Sequence, residues 1–139
     1  AFKKAVELMS DPFKDKQVDV IMGIESRGFI FGAPIACLFG ASFVPVRKKG
    51  KLPYKVISEN YSLEYGIDTL EIHEDAIQKG QNVLVVDDLL ATGGTVSAVM
   101  KMAERLHANI LGASFLIELE FLKGREKLSN YPCSSIIRY

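Results

Sequence analysis

The chain has 139 residues, 48% apolar and 24% charged, with 11 Gly and 5 Pro, proportions that fit one compact globular domain and exclude disordered, collagen-like or multidomain organisation. Its 17 Lys and Arg balance its 17 Asp and Glu, so no net field draws it to nucleic acid or an anionic membrane, and any bound anion must be met by a local site. Two distant cysteines, Cys37 and Cys133, with only His73 and His107 as nitrogen ligands, make neither a disulfide framework nor a zinc site and point to a reducing cytoplasm.

Phe2, Ala5, Val6 and Met9 recur at helical spacing until Asp11-Pro12 stops them, which predicts a helix over residues 2–9. Because this pattern opens on Ala1 rather than Met, the chain is expected to begin inside a longer natural one. Residues 18–24 form an apolar, β-branched run that predicts a strand, followed by the loop Glu25-Ser26-Arg27-Gly28 and a helix over 29–38, with Cys37 in its core. The apolar stretch here falls short of the ~20 residues of a membrane span and is broken by Gly32 and Pro34, so none is expected. A short strand is expected at 42–46, then a mobile basic loop, Arg47-Lys48-Lys49-Gly50-Lys51-Leu52-Pro53. Residues 61–72 alternate with a slip around 66–69, as in a hairpin. Val83-Leu84-Val85-Val86 marks a strand over 82–86 covered on both faces. Val96, Val99, Met100, Ala103 and Leu106 give a helix, and residues 110–119 another buried strand. Strands alternating with helices imply an α/β fold with a mainly parallel sheet, and no linker or repeat divides the chain.

The most informative stretch is Val83-Leu84-Val85-Val86-Asp87-Asp88-Leu89-Leu90-Ala91-Thr92-Gly93-Gly94-Thr95. It places two carboxylates near the carboxyl end of a buried strand, the edge where open α/β sheets bind ligands. Gly93 and Gly94 let several N–H groups converge, while Thr92 and Thr95 add hydroxyls beside a helix start, together a cradle for phosphate. Carboxylates repel phosphate, so Asp87 and Asp88 suit sugar hydroxyls, or a hydrated Mg²⁺ held through water. A sugar phosphate is the implied ligand. The plainer alternative is that the acids end a strand and Thr95 caps a helix. Neither GxxxxGK[ST] nor GxGxxG occurs, which excludes a Walker loop and a dinucleotide fingerprint.

Val-Val-Asp-Asp-Leu-Leu-Ala-Thr-Gly-Gly-Thr resembles the phosphoribosyl-pyrophosphate signature of type I phosphoribosyltransferases. Glu25-Ser26-Arg27-Gly28-Phe29, the basic loop at 47–53, Tyr61-Ser62-Leu63-Glu64-Tyr65-Gly66 and Lys123-Gly124-Arg125-Glu126-Lys127-Leu128 are similar to the adenine branch of that family in order and spacing. The resemblance implies the type I phosphoribosyltransferase fold over residues 1–139 as a single core domain, an open sheet flanked by helices with a flexible loop and hairpin over the site. The family's N-terminal hood around the base would precede Ala1. It also implies transfer of phosphoribose from 5-phosphoribosyl 1-pyrophosphate to adenine, giving AMP and pyrophosphate in purine salvage, with Mg²⁺ as cofactor and a homodimer as the assembly.

By the same resemblance Ala91, Thr92, Gly93, Gly94 and Thr95 hold the 5-phosphate, and Asp87 and Asp88 contact the ribose. The loop Glu25, Ser26, Arg27 and Gly28 faces the pyrophosphate and carries a non-proline cis peptide. Glu25 stands where the family usually has Asp, and Tyr54 where it often has Gly. Arg27, with Lys48 and Lys51 as closers and Arg47 as a further substrate-binding residue, stabilises the leaving group. Glu64 transfers a proton at N7 of adenine, and Tyr65 helps close the site. Taken alone, Glu64 is one exposed position on an alternating strand, Arg27 is a surface cation and the basic loop is a solvated tip. Transfer to another base and a noncatalytic, ligand-sensing relative of these enzymes are the alternatives. A phosphoacceptor receiver domain is disfavoured, since its acidic pair belongs near the domain start and no glycine cradle follows it.

Overall fold

The structure, a computed structural model, describes residues 1–63, 65–128 and 130–139. A seven-stranded sheet runs in the order β3-β4-β2-β1-β5-β6-β7, with β1 at Val20–Ile24, β2 at Ser42–Lys48, β3 at Val56–Leu63, β4 at Gly66–His73, β5 at Asn82–Leu90, β6 at Asn109–Glu118 and β7 at Cys133–Arg138. The run β2-β1-β5-β6-β7 is parallel, while β4 joins β2 and β3 antiparallel. Helices α1 at Phe2–Ser10, α2 at Gly28–Phe39 and α3 at Gly94–Arg105 cover the sheet.

The two-residue period of a strand sorts β1 and β5 between two cores. Ile21, Leu84 and Val86 pack with Val6 and Met9 of α1 and Ile35 and Ala36 of α2. Val20, Met22, Ile24, Val83 and Val85 pack with Val96, Val99, Met102 and Ala103 of α3. An unbroken apolar run at 83–86 is therefore what a strand needs when helices lie on both of its faces.

Chain order reverses direction across the sheet between β1 and β5, because β1 continues through α2 to β2 on one side and β5 through α3 to β6 on the other. That reversal opens a crevice at the carboxyl ends of these two strands.

Several elements differ from expectation. β2 runs on through Arg47 and Lys48, which pair with Glu71 and Leu70 of β4, so two of the loop's cations sit on a strand end. The hairpin is longer than residues 61–72, with Gly66 already paired to Leu63, which accounts for the slip in the alternation. β5 carries on past Val86 through both acids to Leu90, held there by β6 alone. β7, a half-buried edge strand, has no apolar alternation to announce it. Cys37 is exposed: the buried side of α2 is Gly28, Gly32, Ile35 and Ala36, and Cys37 falls off that stripe.

Candidate active site

Two adjoining clefts occupy the crevice. One, of about 310 Å³, is lined by Glu25, Ser26, Arg27, Lys48, Tyr61, Asp87, Asp88 and Thr95, among others. The second, of about 200 Å³, is lined by the Ala91–Thr92–Gly93 turn with Arg27, Asp87, Asp88 and Thr95. The two acids, with Arg27 and Thr95, form the wall common to both.

The turn is built by main chain. Gly93 is the N-cap of α3 at φ 84°, a left-handed angle that a side chain would oppose. No side chain caps the helix, so the expectation of a Thr95 cap is not met. Among the described residues, the N–H groups of Gly94, Thr95 and Val96 have no protein acceptor, and the first intrahelical bond is Ser97 N–H to Gly93 O at 3.0 Å. Free donors at the positive end of a helix are what an anion requires.

Asp87 and Asp88 differ. Burial pushes the Asp87 carboxyl up to about 8, even though Asp87 Oδ1 accepts Asp88 N–H at 2.8 Å. A Cβ on Gly28 would come 2.9 Å from Asp87 Oδ1, so glycine there lets α2 start against the carboxylate. Asp88 accepts Arg27 Nε at 2.5 Å, and the Arg27 side chain is 69% exposed. An ion pair so open to water contributes little and is readily exchanged.

Glu25 is the hub of the opposite wall. Its side chain is 9% exposed and accepts Lys51 Nζ at 2.9 Å, Arg47 Nε at 3.1 Å and Lys48 N–H at 3.2 Å. Burial alone would raise this carboxyl, but the hydrogen bonds from Lys51, Lys48 and Arg47 outweigh it and hold the group below the usual carboxylate range. The Glu25–Ser26 peptide bond is cis. Arg47 and Lys51 meet the cleft through Glu25, while Lys48 lines it directly, its Nζ 3.9 Å from Asp68 Oδ2.

The structure thus gathers Glu25, Ser26, Arg27, Gly28, Lys48, Asp87, Asp88 and residues 91–95 at one place. Tyr65 is not brought in: it is 91% exposed at the hairpin turn and lines neither cleft. Glu64 lies outside the described residues. Two residues at the site were missed. Tyr61 lines the larger cleft, its hydroxyl donating to Asp68 Oδ2 at 3.2 Å and pushed up to about 12 by burial and by Asp68; in sequence it was one more aromatic on an alternating strand. Lys127, far along the chain, brings its Nζ within 4.0 Å of where a Cβ on Gly94 would stand, placing a cation beside a phosphate turn that contains none.

Among the described residues no group of three or more His, Cys, Asp or Glu side chains is placed to hold a metal ion. A divalent ion at this site would take most of its oxygens from substrate and water, with one or two carboxylates at its edge, the usual habit of Mg²⁺ on phosphates. Asp87 and Asp88 fit that role. Among the described residues no helix is long and apolar enough to cross a membrane.

Comparison with known proteins agrees with this site. Residues 1–135 match the phosphoribosyl transferase domain family, and the chain belongs to it. Among its relatives are adenine phosphoribosyltransferases. That of Clostridium kluyveri is 58% identical over 139 residues, covering 100% of this chain and 81% of the relative. That of Brachyspira hyodysenteriae is 54% identical over 139 residues, covering 100% and 82%. Among solved structures, adenine phosphoribosyltransferase from Rhodothermus marinus superposes with a TM-score of 0.96 at 46% identity over 99% of this chain and 78% of that one. The Saccharomyces cerevisiae enzyme, complexed with an imino-altritol bisphosphate and adenine, gives 0.90 at 45% identity over 96% and 78%.

Proposed function

We propose that this chain transfers the phosphoribosyl group of 5-phosphoribosyl 1-pyrophosphate to adenine by a division of labour between its two clefts. The observation that carries the reading is the shared acidic wall: a phosphate turn on one side, a cationic cleft on the other, and two carboxylates between them where a ribose would lie. Ala91 to Thr95 hold the 5-phosphate through main-chain N–H groups and the two threonine hydroxyls. Asp87 and Asp88 accept the ribose hydroxyls. Pyrophosphate takes Arg27 from Asp88, which frees that carboxylate for the sugar, and Lys48, with Arg47 and Lys51 leaving Glu25, closes over the leaving group. Glu64 exchanges a proton at N7 as N9 bonds to the anomeric carbon, and Tyr65 swings in with the hairpin. Asp87 and Asp88 would hold a divalent ion such as Mg²⁺ through water, and that ion would supply charge neutralisation for the leaving pyrophosphate.

The assembly is a homodimer in this reading. Ile30 and Leu38 of α2 are 55% and 56% exposed, and with Pro34, Cys37 and Phe2 they present an apolar face beside a groove that a second copy would cover. The unpaired thiols Cys37 and Cys133 suit the cytoplasm. The deciding experiment measures pyrophosphate release with adenine, guanine, hypoxanthine and orotate. Release with adenine well above the others is expected. Binding of the sugar pyrophosphate with no release for any base would make the chain a sensor instead.

A further inference from the structure

The segment after β6 brings Lys127 beside the phosphate turn, and its main chain forms the floor of that turn. A Cβ built on Gly93 would stand 2.5 Å from the carbonyl oxygen of Gly124. A Cβ on Gly124 would in turn collide with the carbonyl oxygen of Ala91 and come within 2.9 Å of Leu90 Cδ1. Two glycines thus lie backbone on backbone, and the height of residue 124 sets the height of residue 93. The free N–H groups of the α3 terminus follow from there.

Gly124 opens a short 3₁₀ turn, Gly124–Leu128, that belongs to no strand. Arg125 ties this turn to the sheet. Its Nε donates to Glu118 Oε1 at 2.7 Å and its Nη2 to Glu118 Oε2 at 2.8 Å, while Nη1 donates to Cys133 O at 2.6 Å and Nη2 to Ser135 Oγ at 3.0 Å. Glu118 closes β6 with a side chain 4% exposed. Ser135 of β7 donates a further hydrogen bond to the same carboxylate, and Arg138 Nε lies 3.8 Å from it. The next residue, Leu119, donates its N–H to Leu90 O at 3.0 Å, joining the end of β6 to the root of the phosphate turn. With Glu118 buried and Arg125 36% exposed, taking the carboxylate out of water offsets much of what the pair gains, so the pair adds little stability. What the planar fork supplies is direction: four donor contacts fix both the distance and the orientation of the segment that carries them.

We propose that Arg125 is a positioning residue for the 5-phosphate: its fork on Glu118 holds Gly124 against Gly93 and so aims the donors of the phosphate turn. The proposal rests on the reading of residues 91–95 as the 5-phosphate site. Support groups of this kind act by small displacements, and a shift of about 1 Å at a site can cost on the order of 10²-fold.

The test is calorimetric titration of ribose 5-phosphate and, separately, of Mg²⁺-pyrophosphate into the wild type, Arg125→Lys and Gly124→Ala. Lysine keeps one charge but not the fork. Alanine keeps the fork but presses on the turn. Both variants are expected to weaken ribose 5-phosphate about tenfold or more while pyrophosphate stays within about twofold, because the loop at residues 25–28 is held by side-chain bonds to Asp88, Arg47, Lys48 and Lys51 rather than by the 3₁₀ turn. Equal losses for both ligands would mean general damage and would overturn the proposal, as would unchanged affinity for ribose 5-phosphate in the variants. A wild type that binds no ribose 5-phosphate would overturn the site reading itself, a distinct outcome. Should Arg125→Lys fail to fold, Glu118→Gln, which weakens the acceptor of the fork while keeping its shape, takes its place with the same selective loss expected.

Discussion

The phosphate turn at residues 91–95 and the cationic wall at residues 25–27 and 47–51 flank the same pair of acids but are built by opposite means. In the turn the donors are main-chain N–H groups with no protein acceptor among the described residues, pointed by a left-handed glycine and a floor of glycine backbone. Nothing need be broken for an anion to enter. Across the cleft the cations that reach it are engaged with carboxylates: Arg27 meets Asp88, Arg47 and Lys51 meet Glu25, and Lys48 stands 3.9 Å from Asp68. That wall can serve a substrate only by exchanging partners. A preformed donor set loses no free energy to rearrangement on binding, whereas an ion-paired wall ties its charge to the moment the substrate arrives. The phosphate end should therefore govern affinity, and the cationic wall and hairpin should govern turnover.

Glu64→Gln offers the strongest break between the two, because it lies wholly on the turnover side. kcat is expected to fall by about 10² or more while ribose 5-phosphate titrates as in the wild type; unchanged turnover would remove Glu64 from the chemistry. Gly93→Ala should do the reverse. A methyl 2.5 Å from the Gly124 carbonyl on a left-handed residue cannot be accommodated without moving the turn, and a loss of ribose 5-phosphate affinity of about 30-fold or more is expected, read by calorimetry with folding checked by circular dichroism. Asp87→Asn with Asp88→Asn should weaken the sugar by roughly tenfold, each lost charge-assisted bond being worth about 1.5–3 kcal/mol before water and amide replacement offset it. Equal affinity would contradict the ribose assignment.

The smallest effect expected is on pH. The Asp87 carboxyl is pushed up to about 8, so below that pH the free protein holds it as the neutral acid, the poorer acceptor for hydroxyls. kcat/KM, which reports the free enzyme, should rise severalfold between about pH 6.5 and 8.5 and lose that rise in Asp87→Asn. Linkage gives stability the opposite slope. A carboxyl raised by folding lends stability that is complete below its ordinary range near 3.9 and is lost as pH climbs through about 8. A melting temperature that rose with pH over this window because of Asp87 would contradict the assignment.

Main-chain features were the more legible part of the sequence. The apolar run at residues 83–86 can be satisfied only under helices on both faces, and the glycine pair after two acids has few uses other than an anion turn. Contacts made by long side chains were not legible. Glu25 reaching Arg47, Lys48 and Lys51, Tyr61 entering the cleft and Arg125 meeting Glu118 all depend on β2, β4 and β7 lying where no local pattern sets them. The strand expected for β2 is too short because Arg47 and Lys48 look like loop residues, although at a strand end both side chains still reach water, that of Arg47 meeting Glu25 and that of Lys48 lying near Asp68. Cys37 was misplaced because α2 is apolar nearly all round, so periodicity did not single out the buried stripe. Glu64 and Tyr65 were marked by resemblance alone; the first lies outside the described residues and the second stands in solvent.

The most direct measurement follows backbone amides by NMR as ribose 5-phosphate is titrated with neither adenine nor pyrophosphate present. Saturable downfield shifts at Gly94, Thr95 and Val96, with residues 47–53 unmoved, are the result expected of a ready-made phosphate turn facing a wall that waits for its own ligand. Shifts confined to the basic segment, or none at the start of α3, would contradict it.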